Sequence, residues 1–482
     1  MRIRVLAIFL LISVAGLLPA ANSDPVAAPS ATVQEHLKAF TQALLAHDYD
    51  RAEARWQQAL DSEARTAGGA LVALAALVEF MPLPDESLSP EVLRALGQWV
   101  EDRPRSAIAL TLRAVARGLA PDTLHQGERE LLLALAQEPQ SLLTLATLLR
   151  FGIELEYDRA RWDDLFERAI TAPPYAPSLQ LLRLTFLARK GASSEELLRY
   201  ARRMAKTADS GTALVALIPR AHELVASRSD GEEYFLQHEV WKEVRSSWER
   251  LLLLFPSSAV YPAFFATQAR LAGDNDLAEK LYARAIAQSE QNWWIYKAGA
   301  DFQADELQNY GEAVNLYSKA IRLRPRLGSL YVSRGRSYQP LRNLAEAEAD
   351  YRMAIKLAPQ VSVSYHHLGH LLRQLPGRTE EALAALDEAI RLAPADSKLH
   401  LDRCLVLEQL RQNEAALRAC STAIGLEAPS EPALLARSRI YKALGRQKEA
   451  LVDFHAAARL RDAAGKTPSE SAQPPHSATD AR

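Results

Sequence analysis

The densest potential chemistry in this sequence is a run of three histidines, Tyr365-His366-His367-Leu368-Gly369-His370. On a helix, His366 and His370 stand one turn apart on one side. That i, i+4 spacing lets two imidazoles grip a transition metal. No carboxylate or cysteine stands nearby in the sequence to complete the set, so two nitrogens alone make a weak site, and we assign no metal and no cofactor. The remaining readings of the cluster are a contact to a binding partner and plain surface histidines.

Signatures of catalysis are missing. The sequence has no G-x-S-x-G nucleophile turn, no phosphate-cradling G-x-x-x-x-G-K, no G-x-G-x-x-G after a strand and no H-E-x-x-H. His222-Glu223 lacks a second histidine at helical spacing. Acidic pairs such as Asp163-Asp164 are what solvated helix faces produce freely. No catalytic residue is assigned, and the sequence reads as a binding protein, not an enzyme.

The elements that must carry these residues are helical. The 482 residues are 48% hydrophobic and 24% charged, rich in Ala, Leu, Arg and Glu and sparse in β-branched types. That mixture favours helix almost throughout. A net charge of −2 argues against a broad footprint for nucleic acid, though a local basic strip remains compatible with it. A self-similar pattern runs through the second half: Ala278-Tyr282-Ala285, Ala313-Tyr317-Ala320, Ala347-Tyr351-Ala354, Ala382-Leu386-Ala389, Ala416-Cys420-Ala423 and Ala450-Phe454-Ala457. Successive final alanines are 35, 34, 35, 34 and 34 residues apart. Pro325, Pro359 and Pro394 follow five residues later, where proline ends a helix. Tyr331, Gly335 and Tyr338, then Tyr365, Leu368, Gly369 and Leu372, mark the preceding helices.

This pattern resembles the tetratricopeptide repeat (TPR) family over about 200 residues. The resemblance implies an all-α fold, an α-α superhelical solenoid of helical hairpins. Close helix contacts are expected at Gly335, Ala347 and Ala354, and at Gly369, Ala382 and Ala389. It also implies a concave groove lined by first helices, onto which register places Tyr296, Val332, Arg336, His366, His370, Arg373, Leu401, Glu408, Leu435 and Arg439. The Lys/Asn set with which some family members hold a peptide carboxylate is absent. The mixture that remains suits an extended peptide or a helix of some acidic character, or else an ordinary solenoid surface. Of the adjacent pair Trp293-Trp294, one should pack between hairpins and the other cover the junction with the preceding region. Register sets Cys404 at the small-residue contact of a first helix and Cys420 at the large-residue position of its second helix. These positions face each other, so a disulfide is expected in an oxidising compartment, the alternative being two reduced, buried thiols.

The domain order expected is a signal peptide over 1–21 and a linker with the start of the first helix over 22–44. An irregular TPR-like helical array over 45–258 follows, then a TPR solenoid of about six hairpins over 259–462 and a disordered tail over 463–482. The signal is read from Arg2 and Arg4 before the apolar run Val5 to Leu18, followed by small residues to Ser23. It implies a periplasmic or secreted protein, soluble after cleavage, with an uncleaved anchor as the alternative. Second-helix signatures recur in the irregular array at Tyr49, Ala52, Trp56 and Ala59, at Trp162, Phe166, Ala169 and Pro174, and at Val244, Trp248, Leu251 and Pro256. Leu96-Gly97-Gln98-Trp99-Val100 with Pro104 to Ala107, and Trp241 to Leu254, look like an uncharacterised bacterial helical domain often fused to TPRs. The expected function is an exported scaffold or adaptor for a protein or peptide partner. The alternatives are an enzyme with a site in 45–258, or a structural stack that self-associates.

Overall fold

The computed structural model describes residues 39–64, 90–117, 123–170, 177–207, 213–228, 233–289, 292–427 and 430–464. The expected signal peptide lies outside the described residues, and so do most of the linker and of the tail. Among the described residues the regular elements are all helices, and none is long and apolar enough to cross a membrane.

The chain divides into two compact units, before and after Leu327/Gly328, whereas the sequence placed the change of character at 258/259. Packing around Trp248 explains why. The indole lies 6.4 Å from the Phe264 ring and 6.2 Å from Phe265, and its Nε1 donates to Gln268 Oε1 at 2.6 Å. The regular hairpin of Val260–Leu271 and Asn275–Gln288 therefore shares a core with the helix His238–Leu254 before it. Trp294 joins the same core, 5.1 Å from Phe264.

The other large indoles of the first unit organise its earlier helices. Trp162 stacks on Phe166 at 5.3 Å and on Phe186 at 4.3 Å, while its Nε1 donates to the Leu149 carbonyl at 2.9 Å. A stacked aromatic pair adds about 0.5–1.5 kcal/mol beyond its buried area. Trp56 and Trp99 are fully buried, with Phe40 5.2 Å from the Trp56 ring. The recurring signatures thus mark core positions apart from the exposed Pro256, while Pro174 and the Ala59 side chain lie outside the described residues.

In the second unit the chain runs as helix pairs: Gly328–Tyr338 with Leu344–Leu357, Ser362–Arg373 with Thr379–Leu392, Ser397–Gln409 with Asn413–Leu426, and Glu431–Ala443 with Gln447–Ala464. The small residues let each pair close. A Cβ on Gly335 would stand 2.7 Å from the Tyr351 ring, and one on Gly369 would stand 2.8 Å from Leu386 Cγ. Each turn passes through one left-handed residue, in order Arg342, Gly377, Arg411 and Gly445, with φ of 60°, 76°, 57° and 74°. Two of the four are arginine, which pays a steric penalty that glycine escapes.

An ion pair repeats with the hairpins. Arg334 donates to both Asp350 oxygens at 2.8 and 2.7 Å, and Arg437 to both Asp453 oxygens at 2.6 and 2.8 Å. Arg403 holds the same place in its first helix, but the residue sixteen later is Ala419. Its Nε donates instead to Asp387 on the preceding second helix, at 2.6 Å. In the same hairpin Cys404 takes the place of Gly335 and Gly369, and Cys420 that of Tyr351 and Leu386. A disulfide joins the two, with Cα atoms 5.3 Å apart and both residues fully buried. Two small sulfur side chains thus fill the space that a tyrosine or leucine over a glycine fills in the two preceding hairpins.

Candidate functional site

The first-helix face of the second unit carries most of the polar residues that the register singled out. The structure separates them into paired and unpaired groups. Arg439 grips Glu408, Nε to Oε1 at 2.9 Å and Nη2 to Oε2 at 2.8 Å. Two expected partner contacts therefore neutralise each other. His366 Nε2 lies 2.6 Å from Asp402 Oδ2, on the next first helix. Sequence reasoning missed Asp402, because nothing local shows that a carboxylate 36 residues away stands beside this imidazole. Even with it, no group of three metal-binding side chains is assembled among the described residues.

The centre of the face is basic. Half-buried His367 stacks on His366 at 5.6 Å and on the Tyr351 ring at 5.5 Å. Burial pushes its pKa down to about 4, and the charges of His366, Arg336 and His370 act in the same direction. His370 is also held below its usual value, first by burial and then by Arg373 and His366, with Asp402 opposing. Arg336, His366 and Asp402 thus lie within electrostatic reach of His367, and Arg373, His366 and Asp402 within reach of His370. Arg373 has no ion pair among the described residues, and its Nε is buried without a hydrogen-bond partner. An unpaired buried donor of this kind is uncommon and calls for an acceptor.

Tyr296, assigned to the same groove by register, is in the first unit and is buried. Its hydroxyl donates to the Ser289 carbonyl at 2.5 Å and Lys319 covers its ring at 5.7 Å, so it is not offered to a partner.

The first unit holds a second polar assembly. His222 is 2% exposed, with Nδ1 2.8 Å from the Tyr234 hydroxyl and Nε2 3.0 Å from Glu243. Arg202 binds the same Glu243 carboxylate through Nε at 2.7 Å and Nη2 at 2.6 Å. Burial holds His222 below its usual pKa against the opposing pull of Glu243, and its two hydrogen bonds tie two helices and a turn together. Arg202 also borders a cavity of about 470 Å³ on the Ser194–Thr207 helix, lined further by Glu195, Arg199, Arg203 and Lys206. Two of these cations are already paired, Arg199 with Glu195 and Arg202 with Glu243.

Comparison with known proteins follows the repeat. The profile described as "Tetratricopeptide repeat" matches residues 328–361 and 363–396, the first two hairpins of the second unit. Residues 328–396 are thus tetratricopeptide repeats. Small glutamine-rich tetratricopeptide repeat-containing protein 2 of Mycosarcoma maydis is 27% identical over 114 residues, which are 24% of this chain and 32% of that protein. Tetratricopeptide repeat protein 16 of Homo sapiens is 33% identical over 132 residues, 26% of this chain and 15% of that protein. The match thus spans a third or less of these TPR relatives. Among solved structures, a tetratricopeptide repeat protein from Parabacteroides merdae aligns at 17% identity with a TM-score of 0.37, covering 56% of this chain and 93% of that one. The TPR hairpins give the chain a module for protein–protein interaction.

Proposed function

We propose that this TPR protein is an exported adaptor that holds a peptide or protein segment of some acidic character on the first-helix face of the second unit. The uneven charge along that face supports this reading. Glu408 and Arg439 satisfy each other, and His366 is tied to Asp402. Arg373 keeps a buried, unpartnered Nε one turn from His370, and Arg336 lies within electrostatic reach of the nearby His367. A carboxylate arriving there gains charge-assisted hydrogen bonds, each worth about 1.5–3 kcal/mol, from donors already held in place by their helices. Export is supported by the two arginines and the apolar run at the start of the sequence.

The test is capture from cell-envelope extracts by the wild-type chain and by Arg336→Glu/Arg373→Glu. A partner retained by the first and lost by the second, with helicity unchanged, is the expected result. Equal capture by both moves the interaction off this face. Mass spectrometry of the envelope form should show a chain lacking Met1 and the apolar run, whereas a cytosolic pool with Met1 intact removes the export.

A further inference from the structure

The residue that fills the gap over each first helix is sealed in three hairpins of the second unit and open in the fourth. Tyr351, Leu386 and Cys420 are each 0% exposed, whereas Phe454, at the same place in the Gln447–Ala464 helix, is 48% exposed. Leu451, one turn before Phe454 and 56% exposed, extends the apolar surface along the same side of that helix. In the earlier hairpins the following first helix covers this face, as the His367 ring covers Tyr351. No described residue does so here.

The charges on the helix indicate what covers it. Lys448 and Asp462 flank the apolar residues, both exposed and neither in an ion pair among the described residues. They are fourteen residues apart, so they share a face but stand about 21 Å apart along the axis, too far to pair with each other. They are equidistant in sequence from His455, and their signs are opposite. A two-fold axis near His455 that sets two such helices antiparallel brings Lys448 of one copy beside Asp462 of the other, twice. Leu451 and Phe454 are buried between them. The residues after 464 are mostly polar and contain three prolines.

We infer that the Gln447–Ala464 helix is a self-association surface, occupied by the same helix of a second copy in antiparallel register. A contact of this type is isologous and closes at two copies. It is independent of the partner-binding face proposed above.

Sedimentation equilibrium of the full chain decides it. The wild type is expected to show a monomer–dimer equilibrium. Leu451→Glu/Phe454→Glu should be monomeric, with an unchanged far-ultraviolet circular dichroism spectrum. Lys448→Asp, which turns two attractive contacts into repulsive ones, should weaken dimerisation about tenfold, and adding Asp462→Lys should restore it. A wild type that stays monomeric at every concentration overturns the inference. So does a charge reversal without effect, or a double reversal that folds normally and fails to restore. A chain that dimerises only after residues 465–482 are deleted assigns the surface to that segment and likewise overturns it.

Discussion

Arg439 and Glu408 form a two-point ion pair across the last two first helices, towards the carboxy-terminal end of the face that the register marks for binding. Both groups are partly exposed, so the pair should add only about 0.2–1 kcal/mol to stability. A double-mutant cycle with Arg439→Gln and Glu408→Gln, read by urea unfolding, is expected to give a coupling in that range. Partner capture should change far less in Arg439→Gln than in Arg373→Gln. A larger loss at Arg439 would mean that the ion pair opens on binding.

Acid should weaken the second unit through His367. Its folded pKa of about 4 lies below the ~6.5 of an unfolded histidine, so the unfolded chain takes up a proton that the folded chain refuses. Stability owed to this group is therefore level above about pH 6.5 and falls as the pH drops from there toward 4. The fully developed loss is about 3 kcal/mol. His367→Phe keeps a ring against Tyr351 and removes the titration. Urea unfolding at neutral and acid pH should show a clearly smaller loss for this variant than for the wild type. Parallel losses would assign the acid sensitivity to other groups.

The hairpin turns offer a stabilising change. Arg411 adopts φ 57°, where a side chain costs roughly 1–2 kcal/mol that glycine avoids. Part of that gain is lost to the greater freedom of glycine in the unfolded chain. Arg411→Gly should raise stability by about 0.5–1 kcal/mol. Gly335→Ala should do the opposite, lowering it by about 1–3 kcal/mol, because its Cβ would meet the buried Tyr351 ring at 2.7 Å. Thermal unfolding of both variants checks the pair of signs.

The period of Ala, large residue and Ala made the hairpins legible, since a two-helix contact tolerates so few residue types there. The same logic set Cys404 opposite Cys420. It failed at the unit boundary, because Trp248, Phe264 and Gln268 knit an irregular helix to a regular one through contacts that leave no periodic trace. On the site, register could not see that Glu408 and Arg439 are each other's partners. Nor could it find Asp402, which a hydrogen bond brings in from the next hairpin. Tyr296 shows the converse error: its position in the repeat was right, and Ser289 and Lys319 had already claimed its ring and hydroxyl.

The disulfide links fold to compartment. In an oxidising environment the bond between Cys404 and Cys420 should persist and contribute about 3 kcal/mol in the chain-entropy picture for so short a loop. Thiol labelling of the unreduced mature protein in denaturant should find no free thiol. Two free thiols per chain would set aside both the bond and the argument it gives for export.

Site-specific photo-crosslinking tests the binding face most directly. A photoreactive residue at His370 sits beside Arg373 on the first-helix face, whereas one at Glu388 sits on the exposed side of a second helix in the same hairpin. In envelope extract, the account predicts a crosslinked partner from position 370 that disappears in the Arg336→Glu/Arg373→Glu background, and none from position 388. A partner crosslinked from position 388 and not from 370 would contradict it.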